Sequence, residues 1–458
     1  MESRKDELGL MNDVYTYIET HRDEYIEMLQ KMIQQPSVTA QNHGMSEMAA
    51  MVESLLDGIG FEGEQYPTGG FPVVYGEHPG RSAKTLAFYN HYDVQPAEPL
   101  DLWEHEPWSG EIKDGRIWGR GVADNKGNLA ARIAAIDAIK KVRGHLPLNV
   151  KFIVEGEEEI SSVHIEDFTH AHPELVAADG CIWEFGGIDF EGRQVIYLGL
   201  KGICYVELRA KGAIGDQHSS IASSVPNPAW RLAWALATLK DRNENILIPG
   251  FYDKVVSPTE DDLKALEELP DNSEKMLKQL GIEQFLLGAE GMERKKRDFF
   301  LPTCTISGLL SGYTGSGAKT VLPSTAMAKI DMRLVMDQDP HEIFALLRKH
   351  LDDQGFEDIE VVMIGSEPPG RAPLDSPLAK VVAESWKELT GQESIVTPTS
   401  QGSGPWYQLS TAFAIDACTQ GAGHPATNAH APNENIFVED YITSIKQVAL
   451  ILDRFAES

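Results

Sequence analysis

Two imidazoles and several carboxylates stand at the ends of short segments spread along this chain: His91 in His91-Tyr92-Asp93, Asp124, the run Glu157-Glu158-Glu159, Glu184 and His430. Nitrogen and oxygen donors of these types hold borderline and hard divalent cations. A carboxylate among them can bridge two ions, and two neighbouring ions polarise a carbonyl and acidify a shared water. That chemistry is hydrolysis, provided one further carboxylate is left to act as general base.

Residues so far apart in sequence need a scaffold that gathers them. Val14, Ile18, Tyr25, Leu29, Met32 and Ile33 follow helical spacing and predict a helix over residues 13–33, ended by Pro36; a second helix is expected from Ser46 to Leu56. Strands are expected at Thr85–Tyr89, Val150–Val154 and Gly180–Trp183, with Leu129, Ile133, Ile136 and Ile139 marking a helix between the first two. This alternation predicts an α/β fold, a mostly parallel sheet with helices on both faces. His91, Glu158, Glu159 and Glu184 then fall just after predicted strands and Asp124 just before a helix. Sites in open α/β sheets lie at those carboxyl ends.

The pattern changes at Lys201. A strand begins there, followed by helix-like stretches (Pro228–Leu239, Glu260–Leu269, His341–Leu351) and strand-like ones (Ala326–Leu334, Ile359–Ile364). Residues 205–367 read as an inserted α+β domain, closed by Pro368-Pro369-Gly370 before a helix resumes at Ser376. Because His430 lies beyond the insertion, the catalytic domain is expected to be discontinuous, residues 1–204 with 368–458.

Composition narrows the partners. The net charge of −30, from 40 basic and 70 acidic residues in 458, opposes binding to nucleic acid or an anionic bilayer. No apolar run has the length of a leader or a membrane span. The four cysteines form no Cys-x-x-Cys pair, so neither a disulfide framework nor a thiolate zinc site is signalled, and a cytoplasmic protein is expected. Gly312 to Thr320 approaches a phosphate-binding loop, but Ala318 separates the second glycine from Lys319, and a glycine-rich turn is the better reading. Ser403 stands in no Gly-x-Ser-x-Gly elbow, which leaves a serine hydrolase without support.

Four strings agree together: Asn90-His91-Tyr92-Asp93-Val94-Gln95-Pro96, Gly119 to Gly127, Glu155-Gly156-Glu157-Glu158-Glu159 and Asn428-Ala429-His430-Ala431-Pro432-Asn433-Glu434. In order and content they resemble the signature segments of the co-catalytic zinc peptidase family. Carnosinase-like cytosolic dipeptidases, glutamate carboxypeptidase, aminoacylases and the acetylornithine and succinyl-diaminopimelate deacylases belong to it.

The resemblance implies two divalent metal ions per subunit, zinc first, with manganese or cobalt as alternatives. His91, Asp124 and Glu184 would hold one, and Asp124, Glu159 and His430 the other. Asp93 would accept a hydrogen bond from the second nitrogen of His91. Matching Ile160-Ser161-Ser162 to the family's x-Gly-Ser tail selects Glu158 as general base and Glu159 as ligand, although Ser161 replaces the usual glycine. The inserted domain would serve as lid and dimerisation surface. His218, in Gly215 to Ser220, would reach across a homodimer to stabilise the substrate carbonyl. Arg333, Thr320, Gly402 and Ser403 would hold a substrate carboxylate. An arginine often found before the glycine-serine turn is here Thr399-Ser400-Gln401, which leaves the substrate open. Hydrolysis of dipeptides or short peptides with a free C-terminal carboxylate is expected. The alternatives are an N-acyl amino acid deacylase or carboxypeptidase and, more remotely, a noncatalytic binding protein on the same fold.

Overall fold

The computed structural model describes residues 2–458; Met1, where the expected catalytic domain begins, lies outside them. The chain forms two compact units, one of Met1–Gly199, Arg371–Thr399 and Pro405–Ser458, the other of Leu200–Gly370 and Ser400–Gly404. The short return of residues 400–404 to the second unit had no counterpart in the sequence reading.

In the first unit a six-stranded sheet runs in the order Glu64–Tyr66, Val73–His78, Asn149–Glu155, Thr85–His91, Gly180–Trp183, Asp416–Thr419. The last four are mutually parallel and the first two pair antiparallel. Six consecutive residues of Thr85–His91 are buried. Successive side chains of a strand point to opposite faces, so both faces of this one are covered. Helix Lys126–Arg143 is buried along its first three turns and ends at Gly144, whose φ of +74° suits a residue without Cβ. The 20-residue helix Val438–Glu457, against which it packs, was not anticipated, nor was strand Asp416–Thr419.

The first predicted helix is two, Glu2–Thr20 and Arg22–Gln34. The break falls at His21, whose ring stacks on Tyr17 at 3.8 Å and whose Nδ1 lies 2.9 Å from the Tyr17 carbonyl. A side chain that reaches a helix carbonyl competes with the backbone ladder.

The second unit has its own core around a four-stranded antiparallel sheet ordered Thr305–Ser311, Thr325–Leu334, Gly202–Lys211, Glu360–Glu367. Burial alternates along Thr325–Leu334 and most of Gly202–Lys211, the pattern of a sheet covered on one face. Helices Pro228–Leu236 and Pro340–Asp353 supply that cover.

Candidate metal centre

Parallel strands Thr85–His91 and Asn149–Glu155 end side by side, with His91 opposite Glu155, and Gly180–Trp183 stops one residue before Glu184. Arg132 ties these ends together. Fully buried, its guanidinium donates to the Tyr89 carbonyl (2.7 Å) and Asn90 Oδ1 (2.6 Å), and also to the carbonyls of Trp183 and Gln420. Burial lowers its pKa to about 10, which leaves it cationic at neutral pH.

The donor atoms of His91, Asp124 and Glu159 lie within 4.8 Å of one another. Asp124 turns its two oxygens to different imidazoles: Oδ1 is 3.0 Å from His91 Nε2 and Oδ2 is 3.0 Å from His430 Nε2. His430 Nε2 is also 3.0 Å from Glu159 Oε2. Glu184 is buried beside them and accepts at Oε2 from Asn125 Nδ2 (3.1 Å). Four of the predicted ligands, His91, Asp124, Glu159 and His430, are thus in mutual contact, and Glu184 adjoins them through Asn125, the residue after Asp124.

Electrostatics agrees with a site built for cations. Burial opposes ionisation of Asp124, but hydrogen bonds from His430 and His91 outweigh it and hold the carboxyl well below its usual range. Hydrogen bonds to Asp124 and Glu159 push His430 up to about 11. Burial, with the Asp124 charge behind it, pushes Glu184 up to about 8. Four carboxylates share this space with two imidazoles, and divalent cations would neutralise their mutual repulsion while displacing the imidazolium protons.

Asp93 faces the second nitrogen of His91, as expected, and makes further contacts. His91 Nδ1 is 3.0 Å from the Asp93 backbone carbonyl and 3.4 Å from its Oδ1, so the carbonyl is the nearer acceptor. The carboxylate also accepts the backbone N–H groups of Glu158 (3.3 Å) and Glu159 (3.0 Å). Asp93 therefore couples the His91 segment to the glutamate run. Glu159 also accepts from Gln95 Nε2 (2.9 Å), whereas the Glu158 carboxylate has no hydrogen-bond partner among the described residues. Burial drives the Glu158 pKa far up, opposed by His91 and reinforced by Glu159.

The predicted substrate contacts all lie in the second unit. His218 is exposed, and its Nδ1 accepts from Ser220 N–H (3.1 Å), which puts the proton of the neutral ring on Nε2. Thr320 is beside it, its carbonyl accepting from Ser219 N–H (3.2 Å). Arg333 engages Asp331 at 3.2 and 3.4 Å. The Ser403 hydroxyl donates to the Gly202 carbonyl (3.0 Å), and the Gly402 carbonyl accepts from Lys201 N–H (2.9 Å).

Three supporting residues escaped the sequence reading. Arg132 had a signal, a charge three residues after Leu129 and four before Ile136 on an apolar helix face. Asn125 and Glu434 stand inside the quoted motifs, but their partners are far away in sequence. Asn125 Nδ2 donates to the Glu184 carbonyl (2.5 Å), and Glu434 accepts from Arg120 Nη1 (2.7 Å) and from three backbone N–H groups of the Asp124 loop.

Residues 87–454 match the model of peptidase family M20/M25/M40. The chain belongs to this family. Its members resemble it over most of its length. The Cys-Gly metallodipeptidase dug1 of Schizosaccharomyces pombe is 30% identical over 362 residues, 74% of this chain and 75% of that protein. The Beta-Ala-His dipeptidase of Rattus norvegicus is 28% identical over 372 residues, 75% of this chain and 74% of that one. Among solved structures, an M20 family metallo-carboxypeptidase, Sso-CP2 from Sulfolobus solfataricus, superposes with a TM-score of 0.92 at 39% identity, covering 95% of this chain and 100% of that one. The motif resemblance is thus correct, and the chain is a metal-dependent peptidase of the M20/M25/M40 family with that family's α/β fold.

Proposed function

We propose that this M20/M25/M40 family protein hydrolyses the amide bond of dipeptides and short peptides that end in a free carboxylate, using two divalent cations, zinc first. The observation that carries the reading is Asp124, whose oxygens each face a different histidine as a bridging ligand requires. His91 and Glu184 would complete one cation site, Glu159 and His430 the other. Bound there, such ions supply Lewis-acid polarisation of the scissile carbonyl and acidify water.

Glu158 is the general base. Its carboxylate is unengaged and desolvated, and such a group takes a proton from water readily and returns it to the leaving amine. Asp93 holds the Glu158 and Glu159 backbone and so fixes the base relative to its neighbour. His218 presents Nε2–H as a donor to the carbonyl oxygen as negative charge develops. Arg333, Thr320, Gly402 and Ser403 orient the substrate carboxylate.

The second unit, residues 205–367 at its narrowest, is the lid and dimerisation surface. Strand Thr305–Ser311 is a sheet edge with Ile306, Leu309 and Leu310 each more than half exposed, and Trp230 and Trp234 stack on each other in the open at 6.0 Å. An apolar edge strand and an exposed aromatic pair on the same unit both favour burial against a second copy. Four free, buried cysteines suit a reducing compartment, the cytoplasm.

Carboxypeptidase action is the second reading, supported by the 39% identity to the Sulfolobus solfataricus enzyme. A panel decides between them: metal-reconstituted protein is offered dipeptides, a tripeptide and an N-acetyl amino acid. Turnover of free dipeptides alone supports the dipeptidase. Preference for N-blocked or longer substrates moves it to the carboxypeptidase or deacylase branch.

A further inference from the structure

A cavity of about 560 Å³ opens within the second unit, lined by five basic side chains, Lys201, Lys240, Arg294, Arg297 and Arg333, against the acids Glu244 and Asp298. The chain as a whole is strongly acidic. A basic cavity in such a protein concentrates anions.

Most of these cations are already engaged. Lys240 pairs with Glu244, Arg297 with Glu293 (3.1 Å), Arg294 with Asp298 (2.7 Å) and Arg333 with Asp331. Lys201 is the exception. It is 4% exposed, and its ammonium, with three hydrogens to donate, reaches only the Leu301 carbonyl (2.7 Å) among the described residues. Burial without a carboxylate in contact lowers its pKa to about 8. Arg294, 7% exposed on the same wall, leaves its Nε without an acceptor. Buried donors in this state are costly unless a ligand satisfies them.

Arg333 and Gln401 belong to the same lining, and Gln401 precedes Gly402 and Ser403. The backbone N–H of Lys201 is bonded to the Gly402 carbonyl (2.9 Å). Of the residues assigned above to the substrate carboxylate, Arg333 thus lines the cavity and Gly402 and Ser403 adjoin it through Gln401 and Lys201; the volume falls in the range of small-ligand sites.

We propose that this cavity receives an acidic C-terminal side chain, so that the preferred substrates end in glutamate or aspartate, with Lys201 and Arg294 as the specificity-determining contacts. The inference rests on the peptidase reading for the identity of the ligand. A free inorganic anion offers the same chemistry from another source.

The test has a kinetic and a binding arm, both on the full chain. In the first, metal-reconstituted enzyme is given Ala-Glu, Ala-Gln and Ala-Leu. Ala-Glu is expected to exceed Ala-Gln in kcat/KM by at least about tenfold, the scale of one charge-assisted hydrogen bond. That ratio should collapse toward one in Lys201→Met and in Arg294→Met, and Lys201→Arg should restore part of it. Equal use of Ala-Glu and Ala-Gln, or a ratio that survives both substitutions, overturns the proposal while leaving the peptidase reading intact.

The binding arm measures glutarate and inorganic phosphate by calorimetry, with thermal unfolding to verify that each variant is folded. Glutarate bound by the parent and lost in Lys201→Met supports the proposal. Phosphate bound in a Lys201-dependent way without glutarate makes this an inorganic-anion site and overturns it. Cleavage of no dipeptide at all refutes the peptidase reading, and the binding arm then decides the cavity alone.

Discussion

Glu434 holds Asp124 by its backbone. Across 310 residues of sequence, Glu434 Oε1 accepts the N–H of Asp124 at 3.1 Å and that of Ala123 at 2.9 Å, while Oε2 accepts from Gly121 N–H and from Arg120. The carboxylate is completely buried. It sits four residues after His430, so one segment carries a proposed ligand and also fixes the loop of Asp124, the proposed bridge. Glu434→Gln leaves the Arg120 guanidinium buried without its anion, which costs about 3–5 kcal/mol. Urea unfolding of metal-free protein should show that loss; an unchanged midpoint would mean the loop is held by other contacts.

Glu158→Gln should keep both cation sites and lose turnover. Removing a general base costs about 100- to 10,000-fold in kcat. Metal content by elemental analysis and kcat from the dipeptide assay separate the two effects. Near-normal kcat would transfer the role to another carboxylate, with Glu157 the first to examine.

Removing metal with a chelator should abolish hydrolysis and lower the melting temperature. A ligand present at 100 times its dissociation constant stabilises by about 2.7 kcal/mol, and two sites acting on one unit add to this. Calorimetric scans with and without added zinc check it. Full activity in protein verified as metal-free would end the mechanism.

Two inactive variants should rescue each other if His218 acts across a dimer. His218→Ala and Glu158→Ala proteins, mixed under conditions of subunit exchange, form heterodimers with one intact site. At random pairing half of the dimers are mixed, and about a quarter of normal activity per site should return if one site functions in each. Proven exchange without recovery would assign His218 to its own subunit or to no catalytic role.

Burial lowers the Lys201 pKa to about 8 from its ordinary 10.5, which predicts a pH response of stability. Below pH 8 the amine is protonated in both states and the full cost of burying it is present. Between about pH 8 and 10.5 the unfolded chain holds the extra proton, so stability rises with pH, by roughly 3 kcal/mol in all from this group. Above that window both states are neutral and the cost is gone. Lys201→Met should lack this rise. Parallel urea titrations of the two proteins at pH 7 and pH 10 measure the difference, and identical responses would refute it.

The parallel sheet was legible because Thr85–His91, Asn149–Glu155 and Gly180–Trp183 are short apolar runs with helical spacing between them, a pattern set by local burial. The ligand types were legible for a similar reason: a histidine or glutamate just past a strand keeps its chemistry whatever surrounds it. The role of Asp93 was harder to read. Its carboxylate turns to the Glu158 and Glu159 backbone, and only the packing of two strand ends decides that. Ser403 likewise spends its hydroxyl on Gly202, a contact between distant parts of the second unit.

What the sequence by itself determined is the inventory: nitrogen and oxygen donors at strand ends, a further glutamate beside them, and the family whose motifs they form. The tertiary structure alone decided which oxygen of Asp124 faces which histidine, how Arg132 clamps the strand ends, and where Lys201 is left with donors to spare. Donor chemistry belongs to each side chain, whereas distances of about 3 Å between residues hundreds of positions apart depend on how the whole chain closes and on what each group must satisfy once water is gone.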